Sequence, residues 1–305
     1  MRCLVTGGAG FIGSHVADVL ADAGHGVRIF DLCRSRHAPE ADHFIGSILD
    51  LEALREAMNG VEAVFHLAAV ADVKDVFSDP LYAESVNVRG TVNILEAARR
   101  AGVARVLYGS TTWVYSEAPN ETVDEETPIP PPRHLYTATK LAGEHYCRAY
   151  AELYGLHTTI LRYGIPYGPR ARDGAVIPAF VKRARSWEPI HISGDGSQYR
   201  QFVYVRDLAC GNVAALANET PGRIFNLDGE KKISIRQIAE AVKQIVGGAE
   251  IEYGPPRPGD FGGKTALSLR ARTELGWRPE TPFGEGLDAY IHWLDETERP
   301  AEMAP

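Results

Sequence analysis

The sequence of 305 residues predicts an α/β fold: a doubly wound parallel sheet carrying a smaller C-terminal α+β lobe that covers a substrate. Two observations carry this. In the first half, short β-rich runs alternate with amphipathic runs of helical period, the pattern of a parallel sheet covered on both faces. After about Gly164 the alternation loosens into short strands mixed with helices. The expected division is 1–164 for the sheet domain, with elements returning to it near 202–226, and 165–305 for the lobe.

The elements follow in order. RCLVT reads as a strand and FIGSHVADVLADAG as an amphipathic helix ended by Gly24. VRIFD is the next strand, and HFIG leads into DLEALREAM, where Asp50 suits a helix N-cap. AVFHLA is a strand, YAESVNVRGTVNILEAARRAG one long helix closed by Gly102, and RVLYGS a further strand. LYTATKLAGEHYCRAYAELYG is a helix and TTILRYG a strand. Beyond it come the short strands HIS, QFVYV, IFNL and IEY and the helices IRQIAEAVKQIVG and FGEGLDAYIHWLDE.

Composition narrows the function. Apolar residues make up 45% and charged ones 24%, ordinary for a globular enzyme. A net charge of -8 argues against nucleic-acid binding, which needs a basic face. Cys3, Cys33, Cys147 and Cys210 are scattered without a C-x-x-C pair, so reduced, buried thiols are expected rather than disulfides or a metal site. No apolar run has the length of a membrane helix, and the N-terminal run is cut short by glycines; a cytoplasmic protein is expected.

VTGGAGFIG links the first strand to the first helix, with Gly7, Gly10 and Gly13 in the spacing G-x-x-G-x-x-G. Glycines let the backbone turn tightly against a pyrophosphate that faces the helix N-terminus, the Rossmann arrangement. Asp31 ends the second strand about 20 residues on, where a carboxylate accepts the adenosine ribose hydroxyls and repels a 2′-phosphate. NAD is therefore expected over NADP, with Arg34 and Arg36 the opposing signal. Phe11, Ile12, Ser47, Ile48, Leu67, Ala68, Ala69, Tyr163 and Pro166 complete the expected cofactor contacts. His66 reads as a packed strand-end residue.

RVLYGSTTWVYSEAP delivers three hydroxyls, Ser110, Thr111 and Thr112, to a strand end. In the helix that follows, Tyr136 and Lys140 stand four apart and share a face. A phenol acting as a base near neutrality needs its pKa lowered by about 3 units, or ~4 kcal/mol. An ammonium ~5 Å away at an effective dielectric of ~20 supplies ~3 kcal/mol of that.

The chain resembles the extended short-chain dehydrogenase/reductase family, in its NAD-dependent nucleotide-sugar epimerase/dehydratase group. The resemblance runs through TGGAGFIG, HLAA, NVRGTVNILEAAR, STTWVYS, YTATK, LRYGIPYGPR, GDGSQYRQFVYVRDLA, RPGD and ELGWRP. It implies a catalytic Thr111, a Tyr136 acid/base also set against the cofactor, and a supporting Lys140. It implies a UDP-sugar partner, a diphosphate clamp of Arg200 and Arg257 with Asp260 orienting the latter, and a homodimer through the helices at 81–102 and 135–155. Dehydratases and uronate decarboxylases of the group look similar but carry an acid just after the threonine, where Thr112 and Trp113 stand here. Ile165 replaces an asparagine typical of UDP-hexose 4-epimerases, and UDP-glucuronate epimerases resemble GPRARDG more. Arg170 and Arg172 are accordingly candidates for a sugar carboxylate, with Thr112 beside the sugar. The implied activity is 4-epimerisation of a UDP-hexuronate through a transient 4-keto sugar. The alternatives are a UDP-glucose/UDP-galactose 4-epimerase, a decarboxylase, dehydratase or 4-ketoreductase and, from a different class, a non-catalytic NAD-sensing protein.

Overall fold

A computed structural model describes residues 1–256 and 263–298. The chain opens with β1 (Arg2–Thr6), α1 (Phe11–Asp22), β2 (Gly26–Asp31), β3 (Asp42–Ile45), α2 (Leu51–Ala57) and β4 (Ala63–His66). Short helices α3 (Val73–Ser78) and α4 (Pro80–Glu84) precede a π-helical turn at Ser85–Arg89 and α5 (Gly90–Ala101). Then come β5 (Arg105–Thr111), a 3₁₀ turn at Thr112–Tyr115, β6 (Thr122–Val123), α6 (Leu135–Tyr154) and β7 (His157–Tyr163). The rest comprises β8 (Ile165–Tyr167), α7 (Val176–Arg185), β9 (Ile190–Ser193), β10 (Tyr199–Tyr204), α8 (Val205–Ala214) and β11 (Arg223–Leu227). It ends with β12 (Lys232–Ser234), α9 (Ile235–Val246), β13 (Ile251–Gly254), β14 (Thr265–Ala266), α10 (Leu269–Glu274) and α11 (Phe283–Glu298).

Seven parallel strands form the main sheet in the order β11-β7-β5-β4-β1-β2-β3. The order reverses between β1 and β4, and such a reversal opens a crevice at the carboxyl ends of the strands. One face is covered by α2, α5 and α6, burying Leu54, Ile94, Leu95 and Cys147. The other carries α1 against α8, burying Val16, Leu20, Leu208 and Ala209. Thus β11 joins the main sheet, whereas β10 lies in a separate sheet of order β12-β10-β8. A further core, with Val181, Ile238, Val242 and Leu287, sits among α7, α9 and α11. No described helix is long and apolar enough to cross a membrane.

Local sequence explains the helix ends. Asp50 caps α2 by accepting from the backbone N–H groups of Glu52 and Ala53. Gly102 and Gly155 end α5 and α6 in the left-handed conformation that glycine adopts without a Cβ penalty. The single long helix expected at 82–102 is interrupted by the π turn. Two thiols, Cys3 and Cys147, are buried as expected; Cys33 and Cys210 are exposed instead, because they lie on the loop after β2 and the outer face of α8.

Candidate active site

The glycine loop is packed too tightly for any other residue at two positions. Gly7 has φ +72°, and a Cβ there would meet the Ala68 backbone at 2.7 Å. A Cβ on Gly13 would stand 2.1 Å from the Gly7 carbonyl oxygen. The loop delivers the N-terminus of α1, which has no side-chain cap and no acidic residue in its first turn. Its amide groups are thus left to an anion, as a pyrophosphate requires. The cleft beyond has a volume of about 460 Å³ and is lined by Gly7, Gly10, Phe11, Ile12, Gly13, Asp31, Ser47, Ile48, Leu67, Ala68, Ala69 and Pro166. Asp31 accepts from Ala9 N at 2.9 Å and Leu32 N at 2.7 Å, so the carboxylate also fastens the glycine loop. Of the expected cofactor residues, Tyr136, Lys140 and Tyr163 do not line it; the Tyr163 ring is buried and its hydroxyl donates to Asn212 on α8. The glycine loop, the uncapped helix and the terminal acid fit a dinucleotide.

Two asparagines not anticipated from the sequence shape this cleft. Asn87, in the π turn, accepts from Val70 N at 2.8 Å and donates to Val70 O at 2.9 Å. Its amide also donates to Thr139 Oγ1 at 3.1 Å, tying the cleft wall to α6 next to Lys140. Asn93 donates to Ile48 O at 3.0 Å and holds the opposite lip. Both belong to NVRGTVN, whose spacing alone assigns them no partner; the local widening of a π turn is a frequent mark of a functional site. His66 is a packed residue, as expected. Thr91 Oγ1 donates to Asn87 O, so it accepts from His66 Nε2, and Nδ1 then accepts from Thr6 Oγ1 at 2.9 Å. Burial holds the imidazole neutral, with its pKa lowered to about 3.

Thr111 ends β5, and its Oγ1 accepts from Trp113 N at 3.2 Å. The N–H occupies one lone pair and leaves the hydroxyl proton for a ligand. Thr112 opens the 3₁₀ turn. Ser110 is engaged below the site, donating to Glu144 Oε1 at 2.5 Å. Trp113 is partly exposed, its ring centroid 6.3 Å from that of His134, which directly precedes the helix bearing Tyr136. Lys140 is buried, and its ammonium donates to Gly109 O at 2.8 Å and sits 5.0 Å from the Tyr108 ring centroid. Burial lowers the Lys140 pKa to about 8. Burial raises Tyr136 to about 12, opposed by the positive charge of Arg172. Arg172 is thus a cation that opposes the rise at the phenol, while the Lys140 ammonium is engaged by the Gly109 carbonyl.

A second cavity of about 400 Å³ adjoins the cleft. Arg172, Arg200, His191, Ser193 and Gln198 supply its polar lining, with Tyr167, Phe180 and Phe202 among the apolar members; no Asp or Glu is among the described residues that line it. Arg200 also donates to Tyr199 O at 2.7 Å. Arg172 lines both cavities, whereas Arg170 lines neither. Arg170 has φ 66°, which turns it towards α1, where Nη1 stands 2.7 Å from Asp18 Oδ2. Its N–H is not aimed at that oxygen, so the pair is a charge contact rather than a directed hydrogen bond. Arg257 and Asp260 lie outside the described residues.

A glycine loop under an uncapped helix, with Thr111 at the end of a sheet strand and Tyr136 and Lys140 on the following helix, fits an NAD-dependent enzyme. Residues 3–228 match the model of the NAD dependent epimerase/dehydratase family, and the chain belongs to that family. It is 36% identical to a UDP-glucose 4-epimerase of Mycolicibacterium smegmatis, covering 96% of this chain and 98% of that protein. It is 33% identical to a UDP-glucuronate 4-epimerase of Thermodesulfobacterium geofontis, over 96% of each. A UDP-N-acetyl-alpha-D-glucosaminuronate decarboxylase of Bacillus cytotoxicus is 32% identical, over 97% of this chain and 98% of that protein. The UDP-glucose 4-epimerase of Thermotoga maritima, solved with UDP-glucose, superposes with a TM-score of 0.91 at 33% identity, covering 97% of this chain and 99% of that one.

Proposed function

We propose that the protein is a UDP-hexuronate 4-epimerase, interconverting UDP-glucuronate and UDP-galacturonate. The carrying observation is the make-up of the sugar-side cavity: two arginines, Arg172 and Arg200, and no Asp or Glu among the described residues that line it. Guanidinium groups suit a diphosphate and a sugar carboxylate. Removal of a C5 proton, as dehydration requires, lacks an acidic partner at Thr112 and Trp113. Bound NAD supplies hydride acceptance and return at C4. Tyr136 takes the proton of the sugar 4-hydroxyl, and its own hydroxyl has no partner among the described residues. Thr111 donates its free proton to the same sugar oxygen and orients it. A homodimer through the helices at 81–102 and 135–155 belongs to this reading, supported by the exposed Leu153, Tyr154 and Tyr146 on α6.

The test is a panel of UDP-sugars with separation of products, on wild type and Arg172→Ala. Turnover of UDP-glucuronate should exceed that of UDP-glucose. Arg172→Ala should lose about 2–3 kcal/mol towards the uronate, in line with hydrogen bonds to charged groups, and far less towards the hexose. A wild type that prefers the neutral sugar, or a mutant that loses both equally, overturns the uronate assignment. Stoichiometric release of carbon dioxide overturns the epimerase.

A further inference from the structure

Three residues, Phe11, Pro166 and Arg172, line both cavities and form the wall between them. Arg172 is carried by the loop between β8 and α7, which is fastened to α1 at its upstream end and passes close to α3 at its downstream end. At its upstream end His15 Nε2 donates to Pro169 O at 2.9 Å. His15 is buried and neutral, its pKa lowered to about 4 by burial, so the ring donates from Nε2 as an uncharged imidazole. Next to it Arg170 contacts Asp18 at 2.7 Å. Arg170 holds a left-handed backbone, which a residue with a side chain keeps only where its surroundings fix it. Two turns follow, closed by Ala171 N to Gly168 O at 3.2 Å and Ala175 N to Arg172 O at 3.3 Å. At the downstream end Gly174 reaches the far side: a Cβ built on it lies 3.8 Å from Asp72 Oδ2, at the N-cap of α3. The loop therefore spans from α1, beneath the glycine loop, to α3, beyond the wall formed by residues 67–71.

We propose that residues 168–175 are a strap across the cofactor cleft, and that His15 and Asp18 are positioning residues which hold it, and Arg172 with it, so that the dinucleotide stays bound while the sugar nucleotide exchanges. The chemistry explains the need. A reaction that takes hydride from a sugar and returns it to the same sugar leaves the dinucleotide unchanged at the end of each cycle, so nothing is gained by releasing it. The sugar nucleotide must leave by the neighbouring cavity every time. A strap pinned to α1 separates the two exits. Neither His15 nor Asp18 lines either cavity, so neither touches the ligands directly. The inference rests on the NAD dependence of the family and not on which sugar is used.

The experiment measures exchange of bound NAD for excess radiolabelled NAD in the absence of any sugar nucleotide, on the purified holoenzyme. Asp18→Ala should release NAD at least tenfold faster than wild type, and Asp18→Glu should stay within threefold because it keeps the charge on α1. His15→Phe keeps the ring packed near Phe11 but removes the donor to Pro169, and should accelerate release as Asp18→Ala does. Thermal melting of each variant in saturating NAD checks that α1 has not been lost. Should Asp18→Ala not fold, His15→Phe carries the test. Release from a folded variant within twofold of wild type overturns the strap, as does a wild type that exchanges its NAD within one turnover time. Because no sugar is present, the strap can fail while the epimerase reading stands, and the reverse.

Discussion

Beneath Thr111 lies a buried ion pair whose removal gives a sharp test of how the catalytic strand is held. Arg162 on β7 meets Glu144 on α6 through Nε to Oε1 at 2.9 Å and Nη2 to Oε2 at 2.6 Å. Both side chains are nearly inaccessible, at 3% and 5% of full exposure. Ser110 donates to the same Oε1, and Arg162 Nη1 donates to Tyr115 OH at 2.7 Å, which donates in turn to Asn226 Oδ1 at 2.9 Å. Glu144→Leu keeps most of the volume and leaves the guanidinium buried with Tyr115 as its remaining partner. Breaking a buried pair on one side costs about 3–5 kcal/mol, a large share of the roughly 5–15 kcal/mol that holds a folded domain. Replacing both partners by apolar groups is far milder, so Glu144→Leu/Arg162→Met should recover about 1–3 kcal/mol relative to Glu144→Leu alone. The assay is urea unfolding of all three proteins at one fixed, saturating NAD concentration, comparing midpoints at equal slope. A loss below about 1 kcal/mol in Glu144→Leu would place the pair with exposed salt bridges and refute the buried network. A double variant no better than the single would show that the cost does not lie in the orphaned charge.

Two further outcomes are expected. Tyr136→Phe should lower turnover by at least about 10²-fold, the usual contribution of a general acid/base, while the NAD content of purified protein stays at wild-type level; turnover within tenfold of wild type removes Tyr136 from that role. His66 is held near pKa 3 in the folded protein against 6.5 for a free imidazole, so the unfolded chain binds the extra proton between these values. The native state gains fully above pH 6.5 and loses that gain as pH falls, by about 1.4 kcal/mol per unit. Between pH 7 and pH 5, His66→Gln should therefore lose about 2 kcal/mol less stability than wild type; parallel pH curves would contradict the assignment.

The sheet was legible because its signal is local: each strand is a short apolar run and each following helix has its own period and stop. Asp50, Gly102 and Gly155 act within one turn of chain, so their effects need no tertiary knowledge. The helices α3, α7, α8 and α10 are not legible in the sequence. The first turn of α7 contains Pro178, and α8 mixes Gly211 and Asn212 into its buried face, so packing rather than propensity makes them helical. Strands β12 and β14 are only three and two residues long and exist through their partners β10 and β6. At the site, the four-residue spacing of Tyr136 and Lys140 was readable, but the pull of the Gly109 carbonyl on the ammonium was not. Arg170 and Arg172 look alike in sequence. A single left-handed residue sends one to α1 and leaves the other in the cleft, and nothing in GPRARDG marks which residue takes it.

The partition formed by Phe11, Pro166 and Arg172 has a thermodynamic consequence. A wall common to two cavities is touched from either side, so its position enters the affinity of both occupants. If conversion of the cofactor to its reduced form changes the grip on the sugar nucleotide by some factor, the sugar nucleotide must change the preference for the reduced form by that same factor. A keto sugar held more tightly by the reduced protein would by necessity raise the reduction potential of the dinucleotide beside it.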